Sequence, residues 1–349
     1  MPGAVPHDTL DATEEGGHVV AVDLHTRYLG LELECPIVAS ASPLTGELAS
    51  LRELADAGAG AVVLPSLFEE ELVVAGDEHA ADVLWDATDA PGGATAYLDR
   101  IDRSRLESHL DLVREATREL DIPVIASLNG STPGGWTKTA ELLQLAGADA
   151  IELNVYGIET DRYTSAGSVE DRVLRLVHAV RHVVTIPVSV KLSPFYTAFA
   201  SFAHQLADVP VDGLVLFNRF LQPQIDLATL EVEPELTLSH RDELRLPLRW
   251  IAILRDRTPI SLAATSGVHT GDDAARAILA GADVAMMASA LLAEGISRLT
   301  DTRHGLERVL DSHGFASVGA ARGRLSQSSA GDPRAYERAQ YVRTMKSTT

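Results

Sequence analysis

The sequence predicts an α/β protein of the (β/α)8 TIM-barrel class. Three observations carry this. First, a phrase that ends a helix at Gly or Pro and runs straight into a short apolar stretch recurs: ADAGAGAVVLP ending at Pro65, LAGADAIELN at Asn154, DVPVDGLVLFN at Asn218 and LAGADVAMMAS at Ser289. Second, an alternating phrase uses proline to introduce the run: LDIPVIASLN, VTIPVSVKLSP and DRTPISLAATSG. Proline stops the preceding helix and is tolerated at the first residue of a strand. Third, the runs are almost continuously apolar, as in parallel strands covered on both faces.

Adding CPIVASAS gives eight strands, in order about Pro36–Ala41, Ala61–Pro65, Val124–Leu128, Ala150–Val155, Val188–Leu192, Gly213–Asn218, Ile260–Ala264 and Val284–Ala288. The stretches between them carry helical periodicity, as in SVEDRVLRLVHAVRHVV and PLRWIAILRDR. Two connections are long, about 69–100 and 219–246. Both leave strand C-terminal ends, the functional face of a barrel, where they could form a lid or a subunit contact. A doubly wound sheet is the alternative to the barrel. The opening stretch, residues 1–22, is acidic and polar, lacks an apolar signal core, and is expected to be a disordered tail before a single barrel domain over 23–345.

Composition narrows the function. The chain has 349 residues, 46% of them hydrophobic, enough for one large core. A formal net charge of -21 disfavours binding to nucleic acid. The single cysteine, Cys35, precludes an intrachain disulfide or a Cys cluster for zinc or iron–sulfur, and reads as a small apolar residue opening a strand. No run approaches the ~20 apolar residues of a membrane span. A cytoplasmic protein is expected.

Barrel sites sit at strand C-termini. Side chains alternate along a strand, so Glu152 shares a face with Asn154, and Ser127 with Asn129. Lys191 and Ser189 point inward if Val190 and Leu192 meet the helices. A buried Lys is costly alone, and three roles are open to Lys191: an ion pair with Glu152, a Schiff-base nucleophile, or a cation beside an electron-rich cofactor ring. After strand seven comes Thr265-Ser266-Gly267, then Thr270 as an N-cap with Asp273 three residues on. Asp272 and Asp273 would repel an anion from that helix. After strand eight, Ala288-Ser289-Ala290-Leu291 opens a helix with no acid before Glu294, whose N–H groups suit a phosphate. Plain turn chemistry is the competing reading.

With these residues placed, about Asp23 to Gly295 resembles the dihydroorotate dehydrogenase family of FMN-containing barrels, and also the pyrimidine-reducing FMN domain of dihydropyrimidine dehydrogenase. The strongest piece is TSGVHTGDDAARAILAGADVAMMASAL, similar to the family's FMN-phosphate segment. The resemblance implies phosphate contacts at Gly267 and Ser289, with Ser266 and Ala288 beside them. It implies flavin contacts from Lys191 and Asn154, and Ser40, Ala41 and Ser127 packed near the cofactor. It implies substrate contacts from Asn154, Asn218 and Asn129. A homodimer and a small pyrimidine-like cyclic amide as substrate are further implications; the electron acceptor stays open.

There are departures. The family carries a Cys or Ser base after strand four, where this chain reads Asn154-Val155-Tyr156-Gly157-Ile158, with glycine at the base position. A Lys that follows strand two in some members is replaced by Pro65-Ser66, and Arg219 replaces a small hydroxyl residue beside Asn218. Tyr156, Tyr163, Thr164 or Ser165 could substitute for the base. Tyrosine ordinarily titrates near ~10, so it donates a proton in a reduction more readily than it removes one at neutral pH. The implied activity is FMN-dependent oxidation of dihydroorotate to orotate, or of a related CH–CH bond, in pyrimidine biosynthesis. The alternatives are FMN-dependent reduction of another cyclic amide such as a dihydropyrimidine, and a non-catalytic FMN-binding barrel; a flavin-free Schiff-base lyase at Lys191 belongs to a different class.

Other candidates read as structure. His178 and His182 are four apart on a helix but lack an acid between them and a third ligand, so no metal is expected. GSTPGGW lacks the Lys-Ser/Thr of a P-loop, and Trp136 and Trp250 read as packing residues.

Overall fold

The computed structural model describes residues 21–68, 103–129, 133–219, 222–234, 237–337 and 345. The 69–100 connection and residues 1–20 of the N-terminal stretch lie outside them. Eight parallel strands close into a ring: β3 (Ile37–Ala39), β4 (Ala61–Val63), β6 (Val124–Asn129), β7 (Ala150–Asn154), β8 (Val188–Leu192), β9 (Gly213–Leu216), β12 (Ser261–Ala264) and β13 (Val284–Met287). β13 pairs back onto β3, with Ala285 opposite Ile37 and Met287 opposite Ala39. All eight fall inside or within a residue of the segments read from the sequence. A two-residue strand, β5 (Leu67–Phe68), adds to the upper end of β6.

Period-two alternation splits the strand residues into two clusters. Ile151, Leu153, Val188, Val190, Leu192, Leu214 and Leu216 face outward and pack against the helices. Each contributes about 1.5–3 kcal/mol by leaving water. Val38, Val63, Ile125, Val215, Val284 and Met286 face inward. The helices that cover the ring include α1 (Leu48–Asp56), α2 (Arg103–Glu119), α3 (Pro133–Leu145), α4 (Ala166–Val183), α5 (Phe199–Asp208), α6 (Arg245–Leu254), α7 (Gly271–Ala280), α8 (Ser289–Glu294) and α9 (Ser297–Ser312). Thr270 caps α7 by accepting from Asp273 N–H, and the Asp273 side chain accepts from Thr270 N–H in return. Burial opposes ionisation of Asp273, but hydrogen bonds from Arg241 and Thr270 hold its carboxyl below the usual range.

An N-terminal hairpin, β1 (Thr26–Tyr28) with β2 (Leu31–Leu33), plugs the bottom of the ring. Tyr28, Leu29 and Leu33 pack among the inward-facing residues, and Leu29 N–H donates to Ser261 Oγ at 3.0 Å. The 219–246 connection carries a second hairpin, β10 (Pro223–Asp226) with β11 (Glu231–Pro234), and then returns across the top. Trp136 is buried in the core and Trp250 meets Phe199 edge-on, both as packing residues. Cys35 is buried before β3, and burial pushes its thiol up to about 11, consistent with a structural residue. Among the described residues no group of His, Cys, Asp or Glu could hold a metal, and no helix is long and apolar enough to cross a membrane.

Candidate active site

The polar layer of the barrel begins where the inward-facing apolar residues stop. The register sets Glu152 opposite Ser189 and Asn154 opposite Lys191. Lys191 Nζ lies 3.3 Å from Glu152 Oε1, with the Glu152 side chain 1% exposed. Taking both charges out of water costs several kcal/mol each unless they meet, so the ion pair is the role the geometry gives Lys191. Ser127 Oγ–H reaches the same Glu152 oxygen at 3.3 Å. Ser66 Oγ stands 2.8 Å from Ser127 Oγ and accepts from Asn154 Nδ2 at 3.0 Å. Two atoms at this layer are buried with no partner among the described residues: Glu152 Oε2 and Asn154 Oδ1. Below, Tyr28 projects toward Glu152; burial first, and the Glu152 charge next, hold its phenol well above the ordinary value.

Seven of the residues singled out from the sequence line one cavity of about 170 Å³ at the C-terminal end of the ring: Ser40, Ala41, Lys191, Ser266, Gly267, Ala288 and Ser289. The two loops that build it are shaped by backbone. Ser266 and Gly267 both have positive φ, 70° and 81°. A Cβ on Gly267 would stand 2.5 Å from Leu244 N and 2.9 Å from His240 O, so only glycine fits. α8 begins at Ser289 and is six residues long. The returning 219–246 connection presses Ser239 into this corner. Its N–H donates to Ser289 Oγ at 2.9 Å, and its hydroxyl accepts from Gly267 N–H at 3.3 Å.

A second cavity of about 560 Å³ adjoins the first and shares Arg219, Thr237 and Ser266 with it. Asn218 lines this larger space and spends its side-chain N–H groups on the carbonyls of Val155 (3.0 Å) and Lys191 (3.2 Å). Carbonyls only accept, so the orientation of this amide is fixed, and its oxygen is what it can offer a ligand. Arg219 binds Thr237 O through Nε and Nη2 and pairs with Glu243, tying the returning connection over the boundary between the two cavities.

Asn129, Asn154, Ser127 and Tyr156 line neither of these two cavities. Ser127 and Asn129 are buried on β6, and Tyr156 is half-buried on the loop after β7. Gly157 beside it is exposed, with open space where a Cβ would go. Sequence reasoning missed the roles of Ser66 and Ser239. Ser66 was legible as a departure after strand two, but its bonds depend on three strands meeting. Nothing in the 219–246 connection signals that Ser239 returns to the ends of β12 and β13.

A family model described as Dihydroorotate dehydrogenase matches residues 90–310. The chain is 26% identical over 315 residues to the catalytic subunit of dihydroorotate dehydrogenase B (NAD(+)) of Pyrococcus furiosus, covering 85% of this chain and 97% of the relative. It is 26% identical over 308 residues to a putative dihydroorotate dehydrogenase A (fumarate) of Aeropyrum pernix, covering 85% and 95%. A catalytic subunit from Listeria monocytogenes is 31% identical over 172 residues, 47% of this chain and 56% of the relative. The matched span of the family model runs from ahead of β6 into the last turn of α9, and includes Glu152, Asn154, Lys191, Asn218 and Gly267. On that match, the chain belongs to the dihydroorotate dehydrogenase family.

Proposed function

We propose that this oxidoreductase binds FMN across the C-terminal end of its barrel and oxidises dihydroorotate to orotate, or acts on the equivalent bond of a related cyclic amide. The observation that carries the reading is the shared wall: an ion-paired Lys191 borders the same cavity as Gly267 and Ser289. Family membership supplies the expectation of a flavin.

Three features support the fit. The positive-φ pair Ser266-Gly267 leaves a cradle that a side chain at 267 would fill. Ser239 and Ser289 each accept a backbone N–H in this corner, which leaves their two hydroxyl protons as the donors a phosphate would meet. Asn154 Oδ1 is buried without a partner among the described residues, on the strand beside Lys191 and level with it. The smaller cavity is short of the ~300 Å³ usual for a ligand site. The adjoining larger one meets that size, and Arg219, Thr237 and Ser266 form their common wall.

When bound, the flavin supplies a two-electron acceptor for hydride. Lys191 sets a positive charge beside it, held in place by Glu152. Asn218 offers a carbonyl oxygen, which selects a ligand N–H, as a cyclic amide provides. Tyr156 is the candidate to hold or pass a proton, since Gly157 brings no side chain. We also read the chain from 23 to 345 as one domain that pairs as a homodimer.

The absent side chain at 157 favours a second reading, in which the same site reduces an unsaturated cyclic amide and Tyr156 donates the proton. Anaerobic titration separates the two. Bleaching of the flavin band of FMN-loaded protein by dihydroorotate supports oxidation. No bleaching, with reoxidation of chemically reduced flavin by an unsaturated cyclic amide, supports reduction. Neither reaction with any donor or acceptor leaves a non-catalytic flavin barrel.

A further inference from the structure

We infer that Ser66 and Ser127 form a one-way hydrogen-bond relay that fixes the direction of the Asn154 amide, which makes Ser66 a positioning residue for ligand recognition. The inference rests on the proposed function and adds one premise to it, that the bound ligand reaches Asn154, which stands beside Lys191 but lines neither cavity. The direction of the relay rests on neither.

The direction follows from charge. Glu152 Oε1, paired with Lys191 at 3.3 Å, is acceptor-only, and a hydrogen bond to an ionised oxygen is stronger than one between neutral groups. Ser127 therefore spends its single proton on Glu152. Its oxygen, 2.8 Å from Ser66 Oγ, can then only accept, so Ser66 spends its own proton on Ser127. With that proton gone, Ser66 can only accept from Asn154, at 3.0 Å, and the partner must be Nδ2. An Asn amide bonded to a free hydroxyl is ambiguous, because a hydroxyl serves either end. Here a buried ion pair two residues away removes the ambiguity.

The consequence is at the far end. Asn154 turns its carbonyl oxygen away from Ser66, and that oxygen is buried and unpartnered among the described residues. It can be satisfied only by a donor. Asn218 is held the same way round by two backbone carbonyls. The two asparagines thus both offer acceptors, and the ligand they select presents N–H groups. Ring carbonyls at those positions would leave two oxygens facing two oxygens, at a cost. The relay makes this selection depend on Ser66 and Ser127, which need not touch the ligand.

Neutron diffraction from deuterium-exchanged crystals tests the direction without ligand or turnover. The expected map places the Ser127 deuteron toward Glu152, the Ser66 deuteron toward Ser127, and the Asn154 amide deuterons toward Ser66. A Ser66 deuteron toward Asn154 overturns the relay. Binding to FMN-loaded protein tests the consequence, using orotate and its N-methyl derivatives as probes in calorimetry. Wild type should prefer the N–H form. Ser66→Ala should cut that preference about tenfold, the weight of one hydrogen bond, while Ser66→Thr, which keeps the hydroxyl, restores it. Ser127→Ala should also cut it, because it frees the Ser66 proton to turn toward Asn154. In Ser66→Ala protein the further Ser127→Ala change should add nothing. Unchanged preference in both single variants, at unchanged melting temperature, contradicts the inference. Wild type that binds FMN but none of the probes removes the cyclic-amide reading instead, and the neutron map still decides the relay.

Discussion

Lys191 Nζ and Glu152 Oε1 meet 3.3 Å apart in the centre of the ring, the lysine 8% exposed and the glutamate fully enclosed. They come from adjacent strands, two residues out of register, so the lysine reaches downward while its backbone stays level with Asn154. The pair joins the apolar floor to the cavity above, and its energetics are separable from its role.

Lys191→Met leaves Glu152 buried and uncompensated, and should cost about 3–5 kcal/mol. The double variant Lys191→Met/Glu152→Gln removes both charges and should recover most of that loss in urea unfolding. It should still fail to support flavin reduction. Equal destabilisation in the single and double variants would mean that the stranded Glu152 charge is not the source of the loss.

Gly157 can be given a side chain at little structural cost, since a Cβ there meets nothing within 4 Å. Gly157→Ser should change stability by less than about 0.5 kcal/mol. If a missing base limits oxidation, it should speed anaerobic bleaching by dihydroorotate about 100-fold or more. An unchanged rate in folded, FMN-loaded variant would locate the limitation elsewhere and favour the reductive reading.

Much of this architecture was legible in the sequence for a simple reason. Pro123, Pro187 and Pro259 end helices and start strands, and a short run rich in apolar residues follows each of them. Lys191 and Glu152 were legible as well, because alternation along VSVKL and AIELN puts both inward. The bottom plug was not. Its strands are three residues long, and its turn, Leu29-Gly30, carries positive φ at a leucine (53°) where an Asn or Asp would have signalled a hairpin. The relay through Ser66 was not legible either. It needs Ser66, three residues past the end of β4, to turn back onto the ends of β6 and β7, and nothing in Pro65-Ser66 says which way that loop runs.

Gly267→Ala should be destabilising through two effects. Positive φ alone costs about 1–3 kcal/mol, and the new Cβ would in addition strike Leu244 N and His240 O. Gly314 has a similar φ of 73° with open space around it, so Gly314→Ala measures the first effect alone. Gly267→Ala should lower the melting temperature further than Gly314→Ala and, unlike it, lose retained FMN. Equal shifts with FMN kept in both would remove Gly267 from the cradle.

His109, on α2, is buried enough to lower its pKa to about 4, and its Nε2 has no partner among the described residues. In the unfolded chain it titrates near ~6.5. Between those values the unfolded state binds the extra proton, so stability is complete above pH ~6.5 and falls as pH drops toward ~4. The loss should reach up to about 3 kcal/mol. His109→Gln should flatten the stability profile across that window, measured by denaturant midpoints from pH 7 to 4. A variant with the wild-type slope would assign the acid sensitivity to other groups.

The most direct measurement is the visible absorption spectrum of the purified protein, with FMN content determined after denaturation. A yellow protein is expected, or one that turns yellow on incubation with FMN, approaching one FMN per chain and losing it in Gly267→Ala. A colourless protein that stays free of flavin after incubation with excess FMN would contradict the proposed function.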